Sequence, residues 1–151
     1  IKACKVRSLH IVTRLDVGKS PNLIVTTDHT NQELRQLYCD AKLVVIPLKN
    51  VSQPSGQSAT LQAMACGKVV VLSKTRGLWD IEGMKHGYNC WLVPFGDPNA
   101  LGEAIEFLCE NAKLCKEIGI NARSTVVEKY SSRLMGEAIA SSIGQENDMV
   151  L

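Results

Sequence analysis

Aromatic residues are scarce in this chain, at 5% of 151 residues, so any core must be built mostly from Leu, Ile, Val and Ala. Other signals are missing as well. No apolar run approaches the ~18 residues of a membrane-spanning helix, and no signal-peptide pattern opens the chain. A formal charge of +2 and the lack of a dense Lys/Arg block argue against a nucleic-acid partner. The six cysteines, Cys4, Cys39, Cys66, Cys90, Cys109 and Cys115, include no C-x-x-C pair. That spacing fits reduced thiols in a cytoplasmic protein rather than a disulfide framework or a metal site. No G-x-G-x-x-G follows any expected strand, which speaks against a nicotinamide-binding enzyme. Gly18-Lys19-Ser20 has Thr13 where a phosphate-binding P-loop needs its first glycine, and Pro21 where the helix should run.

What is present is one domain's worth of ordinary globular sequence, with 45% hydrophobic and 21% charged residues. Residues 8–13 and the β-branched run Leu23–Thr27 read as strands, with a Gly/Pro/Asn loop between them. Thr30 and Glu33 form a capping box, and Leu34, Leu37, Tyr38 and Ala41 place an amphipathic helix over 31–41. The apolar run Lys42–Leu48 reads as a strand buried on both faces. Further strands are expected at 69–72 and 90–93, with a short helix near 78–81 between them. Asp97 caps a helix with Pro98 at its first position, and a second helix ends near Tyr130. A third helix is expected over 133–143, followed by a fraying tail at 144–151. Strands alternating with helices indicate an α/β fold, a Rossmann-like parallel sheet with helices on both faces. In such folds ligands sit beyond the carboxyl ends of the strands.

The richest stretch is Gly56-Gln57-Ser58-Ala59-Thr60-Leu61-Gln62-Ala63-Met64-Ala65-Cys66-Gly67. It reads as a loop, a short helix with Gly67 as its C-cap, and a turn into the strand at 69–72. Nearly every side chain on this helix is small or apolar, so the helix is expected inside the protein, with Gln62 as the exception. Its start offers free N–H groups and the positive end of a helix dipole, which suits an anion such as a diphosphate. The residues concerned are Gly56, Gln57, Ser58 and Ala59. The same stretch also fits a plain loop with Ser58 as N-cap, and Gln62 also fits a core glutamine bonded to nearby backbone.

These elements together resemble the C-terminal, donor-binding domain of retaining GT-B glycosyltransferases, the glycosyl transferases group 1 family. The resemblance is carried by Leu37-Tyr38-Cys39-Asp40-Ala41, Leu61-Gln62-Ala63-Met64-Ala65-Cys66-Gly67 and Thr75-Arg76-Gly77. It continues through His86-Gly87-Tyr88-Asn89-Cys90-Trp91-Leu92-Val93-Pro94, Gly96-Asp97 and Asn121-Ala122-Arg123. It implies a nucleotide-sugar (UDP- or GDP-linked) donor held by Gly56–Ala59, Gln62, Arg76 and Gly77, with the base near Asp28 and His29. It further implies hexose transfer, a role in polysaccharide biosynthesis, no cofactor and no metal. The catalytic residues remain unknown. The chain departs from the family at its acidic pair, where Pro54 and Gln62 stand. A catalytically degenerate binding or assembly module is therefore the alternative. The first residue is Ile1, and the expectation is a fragment: residues 1–143 as a donor domain lacking its first βα unit and its N-terminal acceptor domain. Such a fragment would be inactive alone and would expose an apolar face able to pair two copies.

Overall fold

The computed structural model describes residues 8–147. Cys4 and the ends at 1–7 and 148–151 lie outside the described residues. The elements run β1 (Leu9–Val12), β2 (Leu23–Thr26), α1 (Asn31–Asp40), β3 (Val44–Ile46), α2 (Gln57–Ala65), β4 (Val70–Lys74) and β5 (Trp91–Pro94). Three helices follow: α3 (Pro98–Glu110), α4 (Ala112–Lys129) and α5 (Ser132–Asn147), the last continuing past the expected end at 143. All strand pairs are parallel, as an alternating β/α chain requires. They form two sheets, however, β1-β2 and β3-β4-β5. Among the described residues, β1 pairs only with β2 and β3 only with β4, so each leaves one edge open.

Strand β4 is the centre of the larger sheet, and its alternation feeds two cores. Val70 and Leu72 pack with Ala63 and Met64 of α2 and Ala122 of α4. Val69 and Val71 point the other way, to Leu108 of α3, Ile118 of α4 and Val93 of β5. Helices therefore cover both faces, and each fully buried aliphatic side chain contributes about 1.5–3 kcal/mol.

Local chemistry sets the helix ends. Thr30 Oγ1 accepts from the Glu33 N–H, and the Glu33 carboxylate accepts from the Thr30 N–H at 2.8 Å. Those bonds hold the Glu33 carboxyl below its ordinary pKa. Asp97 accepts from the N–H groups of Asn99 and Ala100 to start α3. Helix α2 ends at Cys66, with Gly67 one residue beyond in the left-handed region (φ 70°). The Gly67 N–H donates to Met64 O at 2.8 Å and the Lys68 N–H to Ala63 O at 3.2 Å, a complete Schellman closure. Arg123 of α4 donates to Ala65 O at 2.7 Å, capping the same helix end.

The expected helix at 78–81 is absent; residues 76–83 form turns. The Asp80 carboxylate takes the Gly83 N–H at 2.7 Å, competing with helix continuation. Lys42–Leu48 shortens to β3 because Pro47 has no N–H for a ladder. The 75–90 segment is pinned to α4 twice. Buried Asn89 donates to Gly83 O and to Thr125 Oγ1, while the Tyr130 hydroxyl donates to Asp80. Tyr130 also meets Trp79 edge-on, with centroids 5.2 Å apart.

The Asp80–Tyr130 bond makes a testable pH dependence. The Tyr130 hydroxyl and the Gly83 N–H hold the Asp80 carboxyl below its ordinary 3.8. Burial and then the bond to Asp80 raise the Tyr130 phenol above its ordinary 10.0. The depressed carboxyl stabilises the fold above about pH 4, and that contribution fades as pH falls through the lowered value. The raised phenol contributes below about pH 10 and loses its contribution as pH climbs further. Tyr130→Phe is therefore expected to cost stability at pH 7 and less at pH 3, in urea melts at both. An equal loss at the two pH values would rule out the carboxylate as the partner that matters.

Candidate functional site

Helix α2 starts behind a left-handed glycine. Its N-cap is Gly56 at φ 73°, ψ 1°, and no side chain caps the first turn. Helices α1 and α3 are capped by Thr30 and Asp97, while α4, like α2, has no side-chain cap but starts behind Asn111 rather than a left-handed glycine. No acidic residue stands in the first turn of α2 either, so the positive end of its dipole is left uncompensated by its own side chains. Glycine is needed at position 56 on two counts. The left-handed conformation disfavours any side chain, and a Cβ there would come 2.7 Å from Leu48 Cδ2 and 3.2 Å from Ile46 Cγ2.

Ser58 lies inside the helix with its side chain exposed, and it does not serve as the N-cap. The helix is not buried all round, as its composition implied. Thr60, Ala63 and Met64 face the core, while Gln57, Ser58 and Gln62 are exposed. Small side chains left the sequence without a polar stripe to reveal that outer face. Gln62 is therefore no core glutamine; it stands one turn beyond Ser58 on the open side.

A second loop joins this one. The Arg76 N–H donates to Asn50 Oδ1 at 3.2 Å. Gly77 packs so tightly on the 51–53 backbone that a Cβ there would come 2.5 Å from Val51 O. The Leu48 N–H donates to Ser73 Oγ at 3.1 Å, tying the two strand ends together. Gly56, Gln57, Ser58, Ala59 and Gln62 on one loop and helix thus share the carboxyl end of the sheet with Arg76 and Gly77 on the other. The Arg76 side chain is exposed there. Two buried hydroxyls in these segments, Thr60 Oγ1 and Thr75 Oγ1, have no hydrogen-bond partner among the described residues. Asn50 was not singled out in the sequence, since its partner Arg76 lies on a distant loop.

Asp28 and His29 stand apart, at the end of β2 on the smaller sheet. Asp28 takes φ 52° and is held by Arg14, whose Nε donates to Oδ1 at 3.1 Å. Thr26 Oγ1 lies 2.6 Å from His29 Nε2 and 2.7 Å from His10 Nε2. Among the described hydrogen bonds none joins this group to α2. Arg14, His10 and Thr26 are neighbours that local sequence patterns gave no means of finding. Among the described residues no group of three or more His, Cys, Asp and Glu side chains could hold a metal ion. Cys39, Cys66, Cys90, Cys109 and Cys115 are free, and burial pushes the Cys90 thiol up to about 12. No helix among the described residues is long and apolar enough to cross a membrane. A groove of about 540 Å³ opens nearby, lined by Lys74, His86, Leu92, Val93, Pro94 and Phe95. It does not include α2.

This architecture has relatives. The chain is 37% identical over 99 residues to the uncharacterized glycosyltransferase MJ1607 of Methanocaldococcus jannaschii, a match covering 65% of this chain and 24% of that protein. The crystal structure of Anabaena Alr3699/HepE in complex with UDP-glucose superimposes with a TM-score of 0.71 at 23% identity, covering 83% of this chain and 33% of that one. The C-terminal domain of a glycosyl transferase group 1 family protein (LpcC) from Francisella tularensis gives a TM-score of 0.62 at 20% identity, covering 74% of this chain and 55% of that one. The chain thus spans about a quarter to a third of its longer relatives. The model of the family described as Glycosyl transferases group 1 matches residues 6–111. With most of its length matched and its parallel strands flanked by helices, the chain belongs to the glycosyl transferases group 1 family and carries part of a GT-B fold.

Proposed function

We propose that this chain is the donor-binding half of a retaining glycosyltransferase that transfers a hexose from a nucleoside-diphosphate sugar. The observation that carries the reading is the uncapped N-terminus of α2 behind a left-handed glycine. Its free N–H groups at Gln57, Ser58 and Ala59 are aimed along the helix axis, where a diphosphate is stabilised by direct donors and by the dipole. Arg76 adds a cation at the same end of the sheet. These groups would stabilise charge as it builds on the leaving diphosphate. Gln62 would bond a ribose hydroxyl through its neutral amide. The structure of HepE with UDP-glucose makes a uridine nucleotide the first one to test. In this reading the transfer serves polysaccharide synthesis on the cytoplasmic side, without metal or cofactor.

The rest of the protein would supply the acceptor domain and one more strand. A parallel strand preceding β1 in the chain, placed between the open edges of β1 and β3, would turn two sheets into one. The spatial order would then be third, second, first, fourth, fifth, sixth, the order of dinucleotide-binding folds. Exposed apolar side chains mark surfaces for such partners. Val12 and Ile24 share a face of β1-β2, and Met135, Ile139 and Ile143 are spaced four apart on α5. In isolation those faces would pair two copies, which light scattering across dilution would reveal.

The test of the reading is a titration of the ¹⁵N-labelled chain with UDP, GDP and ADP, each with and without its sugar. Shifts confined to Gly56–Gln62 and Arg76–Gly77 for one nucleotide are expected. No response from a folded chain at millimolar nucleotide would overturn the reading. It would instead favour the degenerate binding module, to which Pro54 and Gln62 in the places of the family's acidic pair also point.

A further inference from the structure

The chain has three Tyr, two Trp and two Phe, and four of these, Tyr88, Trp91, Phe95 and Phe107, fall on or beside the edge strand β5. Phe95 and Phe107 are 48% and 46% exposed, although few aromatics are available to the core. Phe95 forms one wall of the 540 Å³ groove at the carboxyl ends of β4 and β5, beside Pro94 and Leu92. The polar members of the lining are Lys74 and His86, and it contains no carboxylate. Lys74 has no ion-pair partner among the described residues.

His86 is held in one tautomer. The Leu92 N–H donates to His86 Nδ1 at 3.0 Å, so in the neutral ring Nδ1 carries no proton and Nε2 carries it. The ring rests 4.5 Å from Trp91, which rests 5.4 Å from Phe107. A tilted contact with Trp91 and the bond from the Leu92 N–H thus hold an imidazole whose other nitrogen is a donor. The groove combines an apolar floor with two donors, one of them cationic, and has no acceptor side chain to match a cation.

We propose that this groove is a binding site for an acidic sugar, a pyranose bearing a carboxylate or a phosphate. The apolar C–H face of the ring would lie on Phe95 and Pro94, as apolar and aromatic linings receive ligands elsewhere. The anionic group would meet Lys74 and the Nε2–H of His86, through charge-assisted hydrogen bonds. The groove opens at the same end of the sheet as α2, and Lys74 stands two positions before Arg76. That the sugar belongs to the acceptor rests on the transferase reading; the binding does not.

The experiment titrates the ¹⁵N-labelled chain, in excess UDP, with glucuronate, glucose 1-phosphate, glucose and methyl phosphate. At least one of the two acidic sugars is expected to shift the amides of Lys74, Leu92, Val93 and Phe95, about ten-fold more tightly than glucose. A response to glucuronate alone identifies a carboxylate ligand, and a response to glucose 1-phosphate alone a phosphate. Lys74→Gln and Phe95→Ser should each weaken the response about ten-fold and leave the UDP shifts at Gly56–Ala59 unchanged. Silence at these amides with both acidic sugars would overturn the proposal. So would methyl phosphate acting as strongly as glucose 1-phosphate, with Phe95→Ser making no difference. The UDP response, read on separate amides, reports on the donor site independently.

Discussion

Gly119→Ala is expected to lower the melting temperature by about 4–8 °C, a net loss of about 2 kcal/mol. A Cβ at this position on α4 would run into the carbonyl oxygen of Gly67 and approach its carbon to 3.0 Å. Neither side of that contact is a side chain that can rotate away. Gly67 is locked at φ 70° by the Schellman closure of α2, and buried β4 follows almost at once. The helix must therefore lift, which loosens Ile118 and Ala122, both fully buried. Ala in place of Gly inside a helix is by itself worth about 1 kcal/mol of stabilisation. The clash has to exceed that before any loss appears. Gly102→Ala on α3 is the control, since a Cβ there meets nothing within 4 Å; it should raise the melting temperature. Thermal melts by circular dichroism decide the matter, and two variants shifting together would disprove the close crossing.

That contact shows which parts of the molecule local sequence could reveal. The Thr30–Glu33 box, the Asp97-Pro98 start and the Gly67 stop depend on residues within five positions of each other. They stand where their chemistry placed them. Strand β4 was legible because a short apolar run after a glycine stop reads as a buried strand from its own composition. The run at 42–48, expected to be buried on both faces, instead gives β3 with Val44 and Val45 only half-buried beside an open edge. The turns at 76–83 were not legible: the Asp80 carboxylate takes the Gly83 N–H where helical periodicity pointed to a turn of helix, and its second anchor, Tyr130, lies 50 positions away. The outer face of α2 was hidden by its small residues, which suit a core and an open surface equally well. The division into two sheets was hidden as well: strand composition says what pairs, and says little about which edge stays open. For the site, Gly56 and Gly77 were legible as glycines, whereas the reasons only glycine fits lie in Leu48 and in the Val51 carbonyl. Asp28 and His29 stand at the end of β2 with Arg14 and Thr26, partners that local sequence did not reveal.

Gly56→Ala is expected to weaken UDP binding about ten-fold or more, and Gln62→Ala only about two- to ten-fold. The order follows from what each residue does. Gln62 can offer a neutral hydrogen bond from an exposed position, worth about 0.5–1.5 kcal/mol. Gly56 sets the direction of three backbone donors at once. A left-handed conformation costs a residue with a Cβ about 1–2 kcal/mol, and that Cβ would press on Leu48 at 2.7 Å. The least costly escape is for the turn to leave the left-handed region, and the N–H groups of Gln57, Ser58 and Ala59 swing with it. Misdirected donors no longer converge on one diphosphate, and a loss of 1.4 kcal/mol is already ten-fold in affinity. Calorimetric titration of both variants, each checked for an intact melt, separates the cases. If Gln62→Ala proved the more damaging, the nucleotide would be held by side chains, and the uncapped helix start would lose its role as the anion site. If Gly56→Ala bound UDP as tightly as the parent chain, the diphosphate would have to sit elsewhere, with the exposed cation of Arg76 the next place to look.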